Sequence, residues 1–281
     1  MRTLALIDET RRFVAGEHRD GRRVALVPTM GNLHEGHLAL VRLAREQAQA
    51  VVASIFVNPL QFGRGEDFGR YPRSLARDLA LLQAEGVAAV FAPEVTEMYP
   101  AGHDGLTTVE VPGLSSVLEG ASRPGHFAGV ATVVAKLFAI VTPEVAVFGE
   151  KDFQQLAVIR RMVRDLDLGV EIVAGPTVRE PDGLALSSRN QYLSPEQRKQ
   201  APALYRTLAA ARRRLAAGDR SYAAIEEEAR GALAGAGFEP DYVAIRHAND
   251  LSPPGEREDD LVVLGAARLG STRLIDNLRV R

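Results

Sequence analysis

Short runs of β-branched and other apolar residues alternate with amphipathic stretches through the first 175 residues of the chain. Several runs lack the polar alternation of a half-exposed strand, which indicates strands buried on both faces of a parallel sheet. The predicted strands cover residues 24–27, 51–57, 87–91, 145–148 and 170–173. The predicted helices cover residues 4–15, 37–50, 75–85, 127–141 and 153–165. This alternation predicts βαβ units and a doubly wound, Rossmann-like α/β sheet.

The pattern changes after Gly175 and Pro176. A polar stretch follows, and the sequence SPEQ at residues 194–197 then has the form of a capping box with proline at the first helical position. The later predicted elements are helices at 195–217 and 222–233 and strands at 242–246, 261–269 and 273–279. We therefore expect a Rossmann-like domain over residues 1–176 and a smaller α+β domain over residues 177–281.

Composition excludes several classes of protein. The 281-residue chain has no cysteine, which removes disulfides, thiolate metal sites and cysteine nucleophiles. A formal net charge of −2 provides no electrostatic footprint for nucleic acid or an anionic membrane. No apolar run approaches the roughly 18 residues of a membrane span. We expect a soluble, cytoplasmic protein that binds neither nucleic acid nor membranes.

The first candidate site is PTMGNLHEGH, residues 28–37, which follows a predicted buried strand and opens a helix. Such a turn lies at the carboxyl edge of an open α/β sheet, where ligands bind. Gly31 allows close backbone approach, and the helix start offers N–H groups to an anion. His34 and His37 can both donate to phosphate oxygens. A zinc site, for which no third ligand is evident, and a pair of turn-capping histidines are the alternatives.

The second candidate is FGEKDFQQ, residues 148–155, at another strand-to-helix turn. Gly149 permits backbone approach, Lys151 supplies a point charge for a phosphate, and Asp152 can bond a ribose hydroxyl. Only three of the 34 basic residues are lysines, which favours a function for Lys151. The alternative is a solvated helix start with Asp152 as its N-cap.

Three further segments are more ambiguous. Ser187, Ser188 and Arg189 can clamp a polyphosphate, although the same residues are common in loops. Asn58 and Gln61, in FVNPLQF, suit a small polyol or hydroxy acid, or else the asparagine stabilises a loop before proline. RPGHFAGV, residues 123–130, is interpreted mainly as a helix start with a structural histidine. Asp78 is expected on a solvated face, or as a ligand that helps to hold a metal.

Six segments together resemble the pantothenate synthetase (pantoate–β-alanine ligase) family. They are PTMGNLHEGH, FVNPLQF, YPR, RPGHFAGV, GEKDFQQL and GLALSSRN, in that order. The match is dense over residues 24–193 and looser elsewhere. The H-x-G-H element alone is shared with the wider nucleotidylyltransferase superfamily, so the six segments carry the specificity. One departure is Asn32, where the family often has alanine.

The resemblance implies that Mg²⁺-ATP activates pantoate as pantoyl adenylate, which β-alanine converts to pantothenate with release of AMP. It also implies a homodimer whose first domain binds nucleotide and pantoate and whose C-terminal domain acts as a lid. Because the adenylate is sensitive to water, a closing lid is expected, and residues 61–71 are a second candidate for it.

By the same resemblance, His34 and His37 bind the ATP phosphates, His37 is the proton donor, and Lys151 holds the transferring phosphate. Gln61, Gln155 and, from the argument above, Asn58 are expected to hold pantoate, with Gln61 also near β-alanine. The other expected ATP-binding residues are Met30, Gly31, Asn32, Leu33, Gly149, Glu150, Asp152, Val178, Leu186, Ser187, Ser188 and Arg189.

Three alternatives to this function remain open. Another small-molecule nucleotidylyltransferase would use the same H-x-G-H turn but would not need FVNPLQF. A metal-dependent hydrolase would use His34 and His37 as ligands. A non-catalytic nucleotide sensor would bind without turnover.

Overall fold

The computed structural model describes residues 1–63, 65–102, 105–255 and 260–280. The chain forms two compact units, of which the first comprises Met1–Glu150 and Val158–Pro176 and the second comprises Lys151–Ala157 and Thr177–Arg281. The segment Lys151–Ala157 thus belongs to the second unit, whereas the sequence analysis assigns all of residues 1–176 to the first domain. Residue 64, within the lid candidate 61–71, lies outside the described residues.

A six-stranded sheet forms the centre of the first unit. Its strands are β1 (Arg2–Leu4), β2 (Val24–Thr29), β3 (Ala50–Ile55), β4 (Ala89–Phe91), β5 (Val145–Gly149) and β6 (Glu171–Gly175). All neighbouring strands are parallel, in the order β1-β4-β3-β2-β5-β6. The helices in this part of the chain are α1 (Ile7–Arg19), α2 (Glu35–Gln47), α3 (Leu75–Ala84), α4 (Val95–Met98), α5 (Glu119–Ser122), α6 (His126–Val141) and α7 (Phe153–Asp165). The predicted Rossmann-like α/β class is confirmed.

The central strand β2 is buried on both faces because its residues are small or β-branched and apolar. Ala25 and Val27 join a core with Val41 of α2 and Leu82 of α3. Successive strand residues point to opposite faces, so the fully buried Leu26 packs on the other side of the sheet. Burial of this kind holds the carboxyl end of β2 in a rigid position.

The start of the chain differs from the prediction. The sequence predicts a helix from residue 4, whereas residues 2–4 form β1 and α1 begins at Ile7. This strand is only three residues long and pairs with β4 at the edge of the sheet, so its pattern is too short to separate from that of the following helix.

The second unit contains the strands β7 (Glu239–His247), β8 (Leu261–Leu269) and β9 (Thr272–Val280) and the helices α8 (Pro195–Gln200), α9 (Ala203–Ala216) and α10 (Tyr222–Gly235). The strands form an antiparallel sheet in the order β7-β8-β9. Helix α9 packs against β8, β9 and α10, and α10 packs against β7. These elements confirm the predicted α+β character of this part of the chain.

The predicted capping box begins α8 as expected. The Gln197 N–H donates to Ser194 Oγ at 3.2 Å, and the Ser194 N–H donates to Gln197 Oε1 at 2.9 Å. The single long helix predicted over 195–217 is wrong, however, because the chain breaks between α8 and α9 at Pro202. Proline has no N–H to continue the helical ladder.

Within the described part of the chain, every helix is too short or too polar to cross a membrane.

Candidate active site

The turn after β2 lies at the topological switch point of the sheet, where the order of the strands reverses. Strands β3 and β4 extend the sheet on one side of β2, whereas β5 and β6 extend it on the other. In open α/β sheets, ligands bind beyond the carboxyl ends of the strands at such a switch point. The segment from Met30 to His37 therefore follows β2 at the edge of the sheet where a ligand is expected.

Asp78 of α3 shapes this turn. Its Oδ2 accepts the Asn32 N–H at 2.8 Å, and its Oδ1 accepts the Leu33 N–H at 2.9 Å. Ser74 Oγ donates to Oδ2 at 3.1 Å. Gly31 has a φ of +80°, and a Cβ at this position would lie 3.1 Å from Asp78 Oδ2. The carboxylate and the glycine together hold the turn in a left-handed conformation.

These contacts argue against both expectations for Asp78. The residue is 0% exposed, so it does not belong to a solvated face. Both carboxylate oxygens accept hydrogen bonds from the protein itself, which leaves a metal ion no good approach. Among the described residues, no group of three or more His, Asp or Glu side chains is arranged to hold a metal ion. A zinc or hydrolase interpretation of His34 and His37 therefore has no third ligand in the described structure.

The departure from the family at Asn32 has a conformational reason. Asn32 has a φ of +51°, in the left-handed region. Asparagine is several-fold enriched there among residues other than glycine. The turn therefore suits asparagine at this position.

His34 and His37 cap the start of α2 with their own rings. The Gly36 N–H donates to Nδ1 of His34 at 3.2 Å, and the His34 N–H donates to Nδ1 of His37 at 3.3 Å. An imidazole nitrogen that accepts a hydrogen bond carries no proton, so each neutral ring has its proton on Nε2. The ring centroids are 4.1 Å apart. The capping alternative is thus real, and it places two Nε2–H donors on neighbouring rings, an arrangement suited to phosphate oxygens.

Asn58 and Gln61 lie around the 3₁₀ turn Pro59–Gln61 that follows β3. Asn58 is 1% exposed, and its Nδ2 donates both to Gly129 O at 3.1 Å and to Gln61 Oε1 at 3.2 Å. Its Oδ1 accepts the Tyr99 hydroxyl at 2.9 Å. These contacts do not favour the direct pantoate contact predicted for Asn58. Gln61 is only partly buried, and its Nε2 lies 3.1 Å from Met30 Sδ.

The start of α6 holds the backbone of Gln61. The Gln61 carbonyl accepts hydrogen bonds from His126 Nδ1 at 2.8 Å and from Arg123 Nη2 at 3.2 Å. Arg123 also binds Glu66 through two hydrogen bonds of 2.7 and 2.6 Å. Burial and the neighbouring Arg123 lower the pKa of His126 from 6.5 to about 4. His126 is therefore neutral at physiological pH and acts structurally, as the sequence analysis expects.

In the second unit, Lys151 and Asp152 lie in the 3₁₀ turn Glu150–Asp152 that leads into α7. The Lys151 ammonium is 3.8 Å from Asp152 Oδ1. Asn277 of β9 donates from Nδ2 to the Lys151 carbonyl at 2.8 Å. On the first turn of α7, Gln155 is partly buried, whereas Gln154 is 3% exposed.

The loop before α8 is ordered by local hydrogen bonds. The Leu186 N–H donates to the Val178 carbonyl at 3.0 Å, which brings these two predicted ATP-binding residues together. Ser187 Oγ accepts the Arg189 N–H at 3.3 Å and caps the 3₁₀ helix Ser188–Tyr192. Ser187, Ser188 and Arg189 are all partly buried. Their side chains therefore start from a well-defined backbone.

Comparison with known proteins establishes the family. The family model described as pantoate-beta-alanine ligase matches residues 2–279. The chain belongs to the pantoate–β-alanine ligase family. A pantothenate synthetase of Thioalkalivibrio sulfidiphilus is 60% identical over 93% of this chain and 92% of the relative. One of Pseudomonas putida is 58% identical over 99% of this chain and 97% of the relative.

Two solved structures of the family have the same fold. Pantothenate synthetase from Thermus thermophilus has a TM-score of 0.93 and 55% identity, covering 100% of this chain and 99% of its own. Pantoate–β-alanine ligase from Francisella tularensis, complexed with Beta-gamma ATP and β-alanine, has a TM-score of 0.83 and 32% identity. That match covers 99% of this chain and 97% of the Francisella chain.

Several residues that organise this family member's candidate site carry no local signal in the sequence. Tyr99 contacts Asn58, Asp78 holds the turn after β2, and Asn277 holds the Lys151 backbone. Each acts on a residue at least 41 positions away along the chain. Only a pattern of covariation among relatives would link such pairs from sequence.

Proposed function

We propose that this member of the pantoate–β-alanine ligase family condenses pantoate with β-alanine to pantothenate, with ATP as the activating substrate. The family match over residues 2–279 carries the proposal. The paired Nε2–H donors of His34 and His37 provide the anion-binding chemistry that ATP requires. The Francisella relative, solved with Beta-gamma ATP and β-alanine, supports these two small molecules as substrates.

The reaction has two displacement steps. A carboxylate oxygen of pantoate attacks the α-phosphorus of ATP, the bond to the β-phosphate oxygen breaks, and pyrophosphate leaves. The amine of β-alanine then attacks the acyl carbon of pantoyl adenylate, the bond to the AMP oxygen breaks, and the amine loses a proton. Neither step needs a covalent enzyme nucleophile, so catalysis depends on positioning and on stabilisation of charge.

We assign the residues of the first unit to phosphate and pantoate. His34 and His37 donate Nε2–H to phosphate oxygens as charge develops in the transition state, and His37 is the proton donor. The backbone of residues 30–33 and of Gly149 and Glu150 lies against the nucleotide. Gln61 donates from its amide to pantoate and lies near β-alanine.

We assign the residues of the second unit as follows. Lys151 neutralises the transferring phosphate as a point charge, and Asp152 binds the ribose. Ser187, Ser188 and Arg189 bind the polyphosphate tail. Val178 and Leu186 lie against the nucleotide, and Gln155 binds pantoate.

Magnesium enters this proposal as part of the substrate. The described residues include no group of three or more His, Asp or Glu side chains arranged to hold a metal ion, and Mg²⁺ is commonly held mainly by water and substrate phosphates. We therefore write the nucleotide substrate as Mg²⁺-ATP. A homodimer, a cytoplasmic location and closure of a lid are proposed from the resemblance to the family, and sedimentation equilibrium tests the first of these.

Exchange of labelled pyrophosphate into ATP, with β-alanine omitted, tests the adenylate step. We expect exchange that depends on pantoate, since only the reversal of pantoyl adenylate formation returns label to ATP. ATP binding without pantoate-dependent exchange would contradict the proposed function and favour another nucleotidylyltransferase acceptor.

Replacement of Lys151 by alanine tests the charge on the transferring phosphate. We expect Lys151→Ala to slow exchange by about 1,000-fold, because it removes a contact that is strongest in the transition state. The matched control is Lys199→Ala, which removes an exposed lysine of α8 and should leave the rate within about twofold. Near-normal single-turnover rates in Lys151→Ala would remove Lys151 from the mechanism.

A further inference from the structure

The two ends of the Gln61 amide have unequal partners. Its Oε1 accepts a hydrogen bond from Asn58 Nδ2 at 3.2 Å. Its Nε2 points to the thioether sulfur of Met30 at 3.1 Å, and such a sulfur is a weak acceptor. A ligand oxygen that displaced the sulfur would therefore receive a stronger hydrogen bond from the same N–H.

Two backbone groups favour one orientation of the Asn58 amide. The Leu60 N–H, which can only donate, points to Asn58 Oδ1 at 3.3 Å. The Gly129 carbonyl, which can only accept, receives Asn58 Nδ2 at 3.1 Å. Amide oxygen and nitrogen are assigned from their hydrogen-bond network, and here both ends have partners of fixed polarity. These partners favour the orientation in which Asn58 offers its N–H to Gln61 Oε1, which turns the Gln61 N–H toward Met30 Sδ. The Leu60 contact to Asn58 Oδ1 is long at 3.3 Å, so this end of the amide depends on a further donor.

Tyr99 completes this arrangement. Its hydroxyl donates to Asn58 Oδ1 at 2.9 Å, and the residue is 2% exposed. Burial raises the pKa of Tyr99 well above its usual value, so the hydroxyl keeps its proton and remains a donor. The ring lies 6.0 Å from the ring of Phe56, and the Lys136 ammonium lies 5.6 Å from its centroid. These contacts fix the hydroxyl in place.

We propose that Tyr99 is a positioning residue which, acting through Asn58, keeps the Gln61 amide turned with its N–H toward pantoate. This inference rests on the proposed function, in which Gln61 binds pantoate. Pantoate offers carboxylate and hydroxyl oxygens that accept hydrogen bonds. A Gln61 amide in the opposite orientation would present its oxygen to the pantoate carboxylate and repel it. Tyr99 thus acts on substrate selection without touching the substrate.

The test is Tyr99→Phe, which removes the hydroxyl and keeps the buried ring. We expect the pantoate KM in pyrophosphate exchange to rise about 3- to 10-fold, the effect of one lost hydrogen bond, with the ATP KM within twofold of wild type. A general loss of structure would change both constants. Lys136→Met is the matched control, because it removes the ammonium that lies 5.6 Å from the centroid of the Tyr99 ring and leaves the hydroxyl bond. Its pantoate KM should not change.

A double-mutant cycle separates action through Gln61 from any direct effect. Gln61→Ala should itself raise the pantoate KM. Adding Tyr99→Phe to Gln61→Ala should then raise it no further, because the residue on which Tyr99 acts is gone. An unchanged pantoate KM in Tyr99→Phe, or a full additional effect in the Gln61→Ala background, would overturn the proposal.

If Tyr99→Phe is too unstable to assay, a second variant tests the direction of the hydrogen bonds that run from Tyr99 through Asn58 to Gln61. Asn58→Asp keeps an oxygen for Tyr99 and Leu60 but has no N–H for Gln61 or for the Gly129 carbonyl, so the Gln61 amide should turn over. An ATP KM within twofold of wild type shows that the lost Gly129 contact has not disrupted the site as a whole. We expect a rise in pantoate KM at least as large as that expected for Tyr99→Phe. An unchanged value would contradict the proposal that Tyr99 acts on Gln61 through Asn58. Failure of the wild type to catalyse pantoate-dependent exchange would contradict the proposed function itself. Normal wild-type exchange with unaffected variants would contradict only the role of Tyr99.

Discussion

The proposed function gives His34 two tasks, one for each nitrogen of its ring. Its Nδ1 accepts the Gly36 N–H and caps α2, while its Nε2–H is the group assigned to phosphate. A histidine in this position is therefore ambiguous in sequence, because capping and binding both place it at the start of a helix. The two roles can be separated by experiment.

His34→Asn should remove the phosphate donor and keep the cap. Asparagine is among the best N-cap residues, so we expect the free energy of unfolding in urea to stay within about 0.5 kcal/mol of wild type. His34→Ala, as the control, should lose about 1 kcal/mol. Both variants should raise the KM for ATP about tenfold or more, since a hydrogen bond to a charged group is lost. An unchanged ATP KM in His34→Asn would contradict the phosphate-binding role of His34 and support only its role as a helix cap.

His126 should make the stability of the protein depend on pH. Burial and Arg123 lower its pKa to about 4 in the folded state, against the ordinary value of 6.5, while Glu66 and Glu119 oppose this shift only in part. Between these values the unfolded chain binds the proton more readily. The contribution of neutral His126 to the free energy of unfolding should therefore be fully present above pH 6.5 and should decrease as the pH falls toward 4.

His126→Asn provides the comparison, because asparagine keeps a donor for the Gln61 carbonyl and does not titrate. Urea unfolding at pH 7 and pH 5 should show a decrease about 1–2 kcal/mol larger in wild type than in the variant. Burial raises the pKa of Glu66, but Arg123 lowers it by more, so that the net pKa lies below the ordinary value of 4.5. The stability that Glu66 contributes is lost only as the pH falls below 4.5, a lower range than that of His126. Equal decreases in the two proteins would show that His126 does not carry this dependence.

At the scale of elements, α6 positions the 3₁₀ turn Pro59–Gln61 by close backbone contact. A Cβ on Gly129 would lie 2.3 Å from the Leu60 carbonyl oxygen and 2.8 Å from the Gln61 nitrogen. Backbone atoms cannot yield as a flexible side chain does. Gly129, the second glycine of RPGHFAGV, is therefore required by helix packing, although the motif by itself indicates only a helix start.

Gly129→Ala should destabilise the protein by about 2 kcal/mol or more through overpacking, and should raise the pantoate KM by displacing Gln61. Gly231→Ala in α10 is the matched control. Among the described residues, no atom beyond the neighbouring backbone of α10 itself lies within 4 Å of a Cβ at Gly231, so alanine should stabilise that helix by about 0.5–1 kcal/mol. Urea unfolding of both variants measures the difference, and equal effects would contradict the packing argument.

Helix boundaries show which elements can be predicted from local pattern. Helix α7 covers the predicted residues 153–165, because the spacing of its apolar residues and the signals at its ends are local features of the sequence. The break between α8 and α9 also has a local cause in Pro202, which the prediction overlooked. Strand β1 has no such signal, since three residues form a strand only because β4 pairs with them.

At the scale of the whole molecule, contacts between distant segments hold the candidate site residues. In the second unit, Arg179 binds Asp276 of β9 through hydrogen bonds of 2.6 and 2.8 Å across 97 positions of the chain. The Arg179 guanidinium also lies 4.6 Å from the centroid of the Tyr205 ring. Next to Asp276, Asn277 holds the Lys151 carbonyl across 126 positions.

Arg179→Gln should destabilise the protein by about 3 kcal/mol, because it leaves the buried carboxylate of Asp276 without its charged partner. The Asp276 side chain is 3% exposed. Arg198→Gln is the matched control, because it breaks a pair with Asp182 in which the two side chains are 36% and 43% exposed, and it should cost less than about 1 kcal/mol. Similar losses in urea unfolding would mean that burial does not set the strength of the Arg179 pair.

The amino-acid sequence by itself determined what depends on neighbours along the chain. The buried strands, most helices, the Ser194 capping box and the H-x-G-H turn after β2 all follow from local periodicity and end signals. The family was recognisable for the same reason, because its motifs are short continuous segments. Polar residues directly after buried strands could thus be proposed as ligands from the sequence alone.

Only the tertiary structure decided how each polar residue is used. Asp78 has the sequence context of a solvated helix. In the folded protein it is buried, and its two oxygens accept hydrogen bonds from the backbone of the turn after β2, 46 and 45 positions away. Asn58 was a candidate ligand, and its hydrogen bonds with Gly129 and Tyr99 instead favour the role proposed above, as a support for Gln61. The physical reason is that a buried polar group must find a hydrogen-bond partner, and its partner depends on which distant segments the packed sheet brings within about 3 Å.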